Sequence, residues 1–151
     1  MTVTLDPFDH AILVALSTNA RMSITDLARE IGLTKTPTQA RLKRLEADGV
    51  ILGYRAQLNA AALGLDHIAF VQVRLSDTRD VALKAFNIAV AKVAEIEQCH
   101  MIAANFDYLL KVRTRDIDAY RRVMGEKIST LPNVVSTSTF VAMESVKEES
   151  I

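Results

Sequence analysis

Charge of one sign is missing from this chain. Its 151 residues carry 18 Lys plus Arg and 18 Asp plus Glu, so the formal net charge is zero. Whole-molecule attraction to a polyanion is therefore weak, and any binding of nucleic acid must come from a local basic patch. The two parts of the chain do not separate by charge either. Residues 1–59 hold seven cationic against six anionic side chains, and residues 60–151 hold eleven against twelve. Cysteine is nearly absent as well. Cys99 stands alone and cannot close an internal disulfide, which suits a reducing compartment. No apolar run is long enough to span a bilayer, and no cationic-then-apolar leader opens the chain. The expected location is the cytoplasm, with no membrane partner. Low-complexity tracts and convincing repeats are also lacking.

The signatures of catalysis are missing too. There is no phosphate loop, no nucleophile elbow and no Cys/His cluster with metal-ligand spacing. His10, His67 and His100 lie far apart in sequence. Cys99 and His100 are neighbours on an expected strand, where they point to opposite faces and cannot easily share one metal. No metal, cofactor or catalytic residue is expected. A small enzyme is the least supported functional class.

What is present is an apolar half of the composition, enough for a packed core, and a legible helical pattern at the amino-terminal end. Asp6 can cap a first helix with Pro7 in its first turn, where a missing N–H costs little. Ile12, Leu13 and Leu16 form its apolar side, and it runs out near Asn19. Ser23 with Asp26 resembles a capping box. Ile24, Leu27, Ala28 and Ile31 then follow at helical spacing up to Gly32, a left-handed stop. Thr34 is the expected cap of a third helix, with Pro37 in its first turn. Thr38, Leu42, Leu45 and Gly49 mark its buried side. Thr36, Gln39, Ala40 and Lys43 lie opposite, with Lys35 and Arg44 at the edges. The helix carries no acid before Glu46. Two short helices, a Gly turn and a cationic second helix form the pattern of a helix-turn-helix that enters a DNA groove. Val50–Leu52 and Tyr54–Leu58 read as the strands of a small wing.

Residues 59–66 are the expected linker between a DNA-binding domain at 1–58 and a second domain at 67–151. The second domain begins with an alternating strand over His67–Leu75. A helix over Asp80–Glu95 follows, with Leu83, Phe86, Val90 and Val93 on one face. Strands over Gln98–Ala104 and Tyr108–Thr114 come next, then a helix over Asp116–Leu131 with Ile117, Tyr120, Met124, Ile128 and Leu131 in register. Pro132 and Asn133 break it before a final strand over Val134–Lys147. The order βαββαβ is the ferredoxin-like split arrangement, so the fold class is α+β. Its two helices cover one sheet face. The first strand is nonetheless apolar on both sides, with Ile68 and Phe70 on one and Ala69, Val71, Val73 and Leu75 on the other. An uncovered apolar face calls for a covering chain. The expectation is an obligate homo-oligomer with sheets packed face to face; an amino-terminal domain folded back over the sheet is the alternative.

Together these residues resemble the Lrp/AsnC family of leucine- and asparagine-responsive bacterial regulators. The similarity lies in LDPFDHAIL, GLTKTPTQARLKRLEADGVILGY and EQCHMIAANFDYLLKVRTRDIDAYRRVMGEKISTLPNVVSTSTFVAMESVK, which span nearly the whole chain. Within the family the chain is most similar to proline-utilisation regulators, which activate proline degradation. The resemblance implies a winged helix-turn-helix followed by an effector-binding RAM domain. It also implies homodimers assembling to octamers, and activation or repression of amino-acid metabolism genes. An architectural DNA-compacting protein of the same fold, without effector response, is the second reading.

The resemblance places the recognition helix at Thr34–Asp48. Its DNA-contacting set is Lys35, Thr36, Gln39, Arg41, Lys43 and Arg44. Gln39 can pair bidentately with adenine, and Thr36 can meet a thymine methyl or a phosphate. Lys35, Lys43 and Arg44 are expected phosphate anchors. Arg41 projects toward the buried flank, where Glu46 or Asp26 competes with DNA for it. On the effector side the family's loop runs Gly, small polar, aromatic, Asp. Here those positions are Ala104, Asn105, Phe106 and Asp107. Gly allows positive φ and close approach of a ligand, so Ala104 points to a different effector, weak binding or none. By position, Asp116, Asp118, Thr137 and Thr139 complete the candidate effector site. Helix-dipole and β-propensity explanations compete for them.

Overall fold

Asp6 starts the first helix, α1 (Pro7–Thr18), by a reciprocal cap. Its carboxylate accepts from Asp9 N at 2.9 Å, and Asp9 Oδ2 accepts from Asp6 N at 3.0 Å. Ser23 opens α2 (Ile24–Ile31), where its hydroxyl accepts from Asp26 N. Gly32 ends α2 at φ 73°, a left-handed conformation that a side chain would strain. The chain thus turns within three residues into α3 (Lys35–Ala47). Thr34 holds the cap position of α3 without a side-chain capping bond. Its carbonyl instead accepts from the hydroxyl of the fully buried Thr38, which satisfies that polar atom inside the core.

The structure, a computed structural model, describes residues 3–148. They fall into two compact units, one within residues 3–57 and the other within 58–148. Ile12, Ala15, Leu16, Leu27 and Leu45 form the core of the first. Each fully buried Leu or Ile contributes about 2 kcal/mol, so apolar packing rather than surface charge holds the three helices together.

Two expectations fail at the end of α3. Gly49 is exposed, beyond the helix end and at φ 69°, and lies outside the buried side. The segments Val50–Leu52 and Tyr54–Leu58 form no strand ladder. Val50 N and Ile51 N both donate to Leu45 O and are spent on closing the helix. A two-stranded hairpin left with so few free donors is marginal by itself. Tyr54 folds back instead, its hydroxyl donating to Glu46 at 2.8 Å. Burial and then Glu46 push that phenol up to about 12, so it stays protonated.

The second unit is an antiparallel sheet of β1 (His67–Leu75), β2 (Ile96–Met101), β3 (Tyr108–Thr114) and β4 (Val134–Val141) in the order β2-β3-β1-β4. Helices α4 (Asp80–Val90) and α5 (Ile117–Val123) cover one face. Ala69, Val71, Val73, Phe86, Leu110, Val112 and Ile128 are buried between the layers. Residues 59–66, expected as a linker, fall within the second unit and contain a 3-10 turn, Ala61–Leu63.

Four elements differ in their bounds from the sequence expectation. β2 runs over Ile96–Met101, not Gln98–Ala104. α4 stops at Val90, not Glu95, because Val93 N and Ile96 N turn the chain so that Ile96 can pair with Val112. After Val123 the last helix widens into a π-helical turn, Met124–Ile128. Val123 is buried, and Ile117, expected on the apolar face, is 49 % exposed. β4 ends at Val141, not Lys147.

The open face of the sheet is also less uniform than expected. Its apolar end holds Phe70, 37 % exposed, beside Phe140, 53 % exposed. Continuing along the same side of β1 come Gln72 and Arg74, opposite Ser138 and Ser136. On β3 the same side carries Lys111 and Arg113, tied by Glu97 and Glu148.

Candidate functional site

The cationic helix α3 is anchored from behind by Thr38 and Leu45, both fully buried. That burial turns Lys35, Thr36, Gln39, Ala40 and Lys43 outward, and all five are exposed. Neither Lys35 nor Lys43 has a hydrogen bond or ion pair among the described residues. Two free ammonium groups therefore flank a Thr and a Gln on one side of a rigid helix, an arrangement that suits phosphate anchoring with base-edge reading between.

Arg41 is not part of that surface. Its guanidinium donates to Asp6 Oδ2 at 2.6 Å and to Asp9 Oδ1 at 2.9 Å, and stacks over Phe8 with its carbon 5.4 Å from the ring centre. The expected competitors Glu46 and Asp26 are engaged elsewhere, with Tyr54 and with Ser23 and Arg29. Arg44 also donates to Asp9 Oδ2, yet its side chain stays 47 % exposed. This clamp joins α3 to the start of α1 and leaves no local signal in the sequence around Arg41 and Arg44. Asp9 is 1 % exposed. Burial pushes its carboxyl up, but the Asp6 N–H and the two guanidiniums more than reverse this and hold it below the ordinary carboxylate value.

In the second unit the loop 102–107 is stitched to the end of β1. Asp107 N donates to Val73 O, and Asp107 Oδ2 accepts from Leu75 N at 2.7 Å, beside an irregularity in the β1–β4 register at Arg74 and Leu75. Asp107 thus shapes the loop. Ala104 needs no Gly conformation here, since Asn133 is the one non-glycine residue at positive φ among those described. Asn105 and Phe106 line a cavity of about 250 Å³ together with Gln72, Arg74, Ser136 and Ser138.

Ala104 and Asp107 belong to the loop but do not line this cavity, and the other four expected effector residues lie elsewhere. Thr137 and Thr139 point to the helix-covered face, where Thr139 pairs with Tyr120 OH and Thr137 lies 3.8 Å from Met124 Sδ. Asp116 caps α5, accepting from Ala119 N at 2.7 Å. Asp118 is exposed near Arg121. Ser136 and Ser138, opposite Arg74 and Gln72, face the open side instead. Only strand pairing reveals this, because Val71 opposite Thr139 fixes the parity of β4.

Asp107→Ala is expected to lower stability by about 1–2 kcal/mol through the orphaned Leu75 N–H. It should also abolish any ligand-induced thermal shift, whereas Ala104→Gly should leave that shift in place. Melting curves with and without free amino acids check both outcomes.

Among the described residues no cluster of His, Cys, Asp or Glu could hold a metal, and no helix is long and apolar enough to cross a membrane. Two family profiles match the chain: an Lrp/AsnC ligand binding domain over residues 68–151 and a winged helix-turn-helix DNA-binding domain over residues 5–51. A proline dehydrogenase transcriptional activator of Rhizobium radiobacter is 63 % identical over 150 residues, covering 99 % of this chain and 96 % of the relative. The crystal structure of an AsnC family transcriptional regulator from Agrobacterium tumefaciens superposes with a TM-score of 0.91 at 29 % identity, covering 97 % and 95 % of the two chains. A transcriptional regulator from Neisseria meningitidis, solved as an L-Met complex, gives 0.87 at 27 % identity over 96 % and 94 %.

Proposed function

The chain belongs to the Lrp/AsnC family of DNA-binding transcriptional regulators, and we propose that it governs amino-acid metabolism genes under the control of a free amino acid. In this reading α3 enters the major groove. Gln39 and Thr36 read base edges, Lys35 and Lys43 anchor phosphates, and the exposed side of Arg44 adds to them. Arg41 positions α3 and does not touch DNA. The carrying observation is the outward, unpaired face of α3 on a helix whose back is fully buried.

The effector enters the cavity beside the loop 102–107. Proline is the first candidate, because a relative of 63 % identity is named for activating proline dehydrogenase. The L-Met complex of the Neisseria regulator supports the ligand class. The exposed Phe70 and Phe140 support subunits that pair through the apolar end of the open sheet face, giving dimers and, as an octamer, four such pairs. A dimer sets two recognition helices about 34 Å apart on one side of the duplex, so the operator is an imperfect palindrome.

Binding to the protein's own upstream promoter region, titrated across a salt series beside a scrambled duplex, tests the reading. A promoter preference that an amino acid alters is the expected result. Binding that is equal on both duplexes, steeply salt-dependent and indifferent to amino acids would instead favour DNA compaction. A monomeric protein that ignores its promoter at low ionic strength would remove both.

A further inference from the structure

The cavity beside the loop 102–107 has one charged wall. Of its six lining residues, Gln72, Arg74, Asn105, Phe106, Ser136 and Ser138, only Arg74 is ionic. The guanidinium makes no hydrogen bond or ion pair among the described residues. Its neighbours in kind are all committed. On the same sheet face Lys111 and Arg113 are tied by Glu97 and Glu148. Just past β1, Arg79 is held by Asp77 at 2.6 Å. The nearby acid of the loop, Asp107, is turned onto Leu75 N. An unpaired guanidinium therefore faces hydroxyls and amides, with no carboxylate on the cavity wall to neutralise it.

We propose that Arg74 binds the carboxylate of the effector and makes a free carboxylate the main requirement for entry. The assignment rests on reading this cavity as the effector site. A guanidinium matches a carboxylate with two parallel N–H bonds, which supplies both strength and orientation. Register fixes where those bonds form. Arg74 is paired across the sheet with Ser136, and the loop is stitched to β1 at Val73 and Leu75, on either side of it. The hydroxyls of Ser136 and Ser138 and the amides of Gln72 and Asn105 are left for the ammonium group and the small remainder of the ligand. With no acid present, the ammonium is held by neutral acceptors alone, so its removal costs less than removal of the carboxylate. A cavity of about 250 Å³ admits a free amino acid and little more.

Calorimetric titration of the full-length protein with the twenty amino acids identifies the tightest ligand. That amino acid, its carboxamide and its des-amino carboxylic acid are then titrated into wild-type protein, Arg74→Gln and Arg74→Lys. Particle mass is followed by light scattering. The carboxamide should bind wild-type protein on the order of 10- to 100-fold more weakly than the free acid, the range of one charge-assisted pair. The des-amino acid, which is smaller than the ligand and keeps its carboxylate, should lose less. Arg74→Gln should weaken the free acid by a similar factor, leave the carboxamide unchanged and keep the wild-type mass. Arg74→Lys, which keeps the charge without the fork, should fall between. Equal affinity for the free acid in wild-type protein and Arg74→Gln overturns the assignment. So does a variant of altered mass that weakens acid and amide alike, which would place Arg74 at a subunit contact. Failure of wild-type protein to bind any amino acid removes the effector reading itself, and this assignment with it.

Discussion

Asp9→Ala is expected to lower the stability of the helix-turn-helix unit by about 2–3 kcal/mol. The carboxylate is 1 % exposed and serves three donors, Arg41, Arg44 and Asp6 N. Breaking a buried ion pair from one side costs about 3–5 kcal/mol when the remaining charge stays buried. Here the guanidiniums are 26 % and 47 % exposed, and Arg41 keeps Asp6 at 2.6 Å, so water and Asp6 recover part of the loss. For a unit of this size that is a fall of roughly 10–20 °C in the melting transition. An unchanged transition by calorimetry and circular dichroism would mean that the clamp contributes no net stability.

The same clamp sets an acid limb. Asp9 and Asp6 titrate below the ordinary value of 3.8 in the folded protein, Asp9 because its hydrogen bonds outweigh burial and Asp6 chiefly through Asp9 N. The unfolded chain then takes up protons first as acid is added. Stability from these groups is complete above pH 3.8 and drains away as the pH falls through the depressed native values. Asp9→Asn should therefore be less stable than wild-type protein at neutral pH, and the difference between them should narrow below pH 3.8. A gap that is constant down to the lowest pH reached would show that the Asp9 charge is not the source.

Gln39→Ala and Lys43→Ala are expected to separate sequence reading from anchoring. Loss of a bidentate adenine contact costs about 1–3 kcal/mol at the specific site and almost nothing on a scrambled duplex. Lys43→Ala should weaken both duplexes by a similar factor and lower the salt slope by about one. Arg41→Ala serves as the control that the structure supplies. Because its guanidinium is spent on Asp6 and Asp9, it should lower thermal stability and leave the salt slope unchanged. Parallel losses for Gln39→Ala and Lys43→Ala on both duplexes would refute the division of roles.

The helix-turn-helix was legible because its signals are local. Asp6, Ser23 and Gly32 act within three or four residues of themselves, and the 3.6-residue period names the buried face of α3. The partners of Arg41 were not legible. Asp6 lies 35 residues away, and nothing near Arg41 in sequence reports that α1 begins beside it. The end of α4 was illegible for a similar reason. Val93 keeps the helical period, but Ile96 has to reach Val112 across the sheet.

The chain order of residues by itself determined the three amino-terminal helices, the outward cationic face of α3 and the βαββαβ succession, since each follows from periodicity and capping over a few turns. Only the tertiary structure decided that Ser136 and Ser138, rather than Thr137 and Thr139, share a wall with Arg74. The run VVSTSTFV does not alternate polar with apolar, so it carries no parity of its own. Hydrogen-bond pairing with β1 sets which of its side chains face the helices and which are left for a ligand.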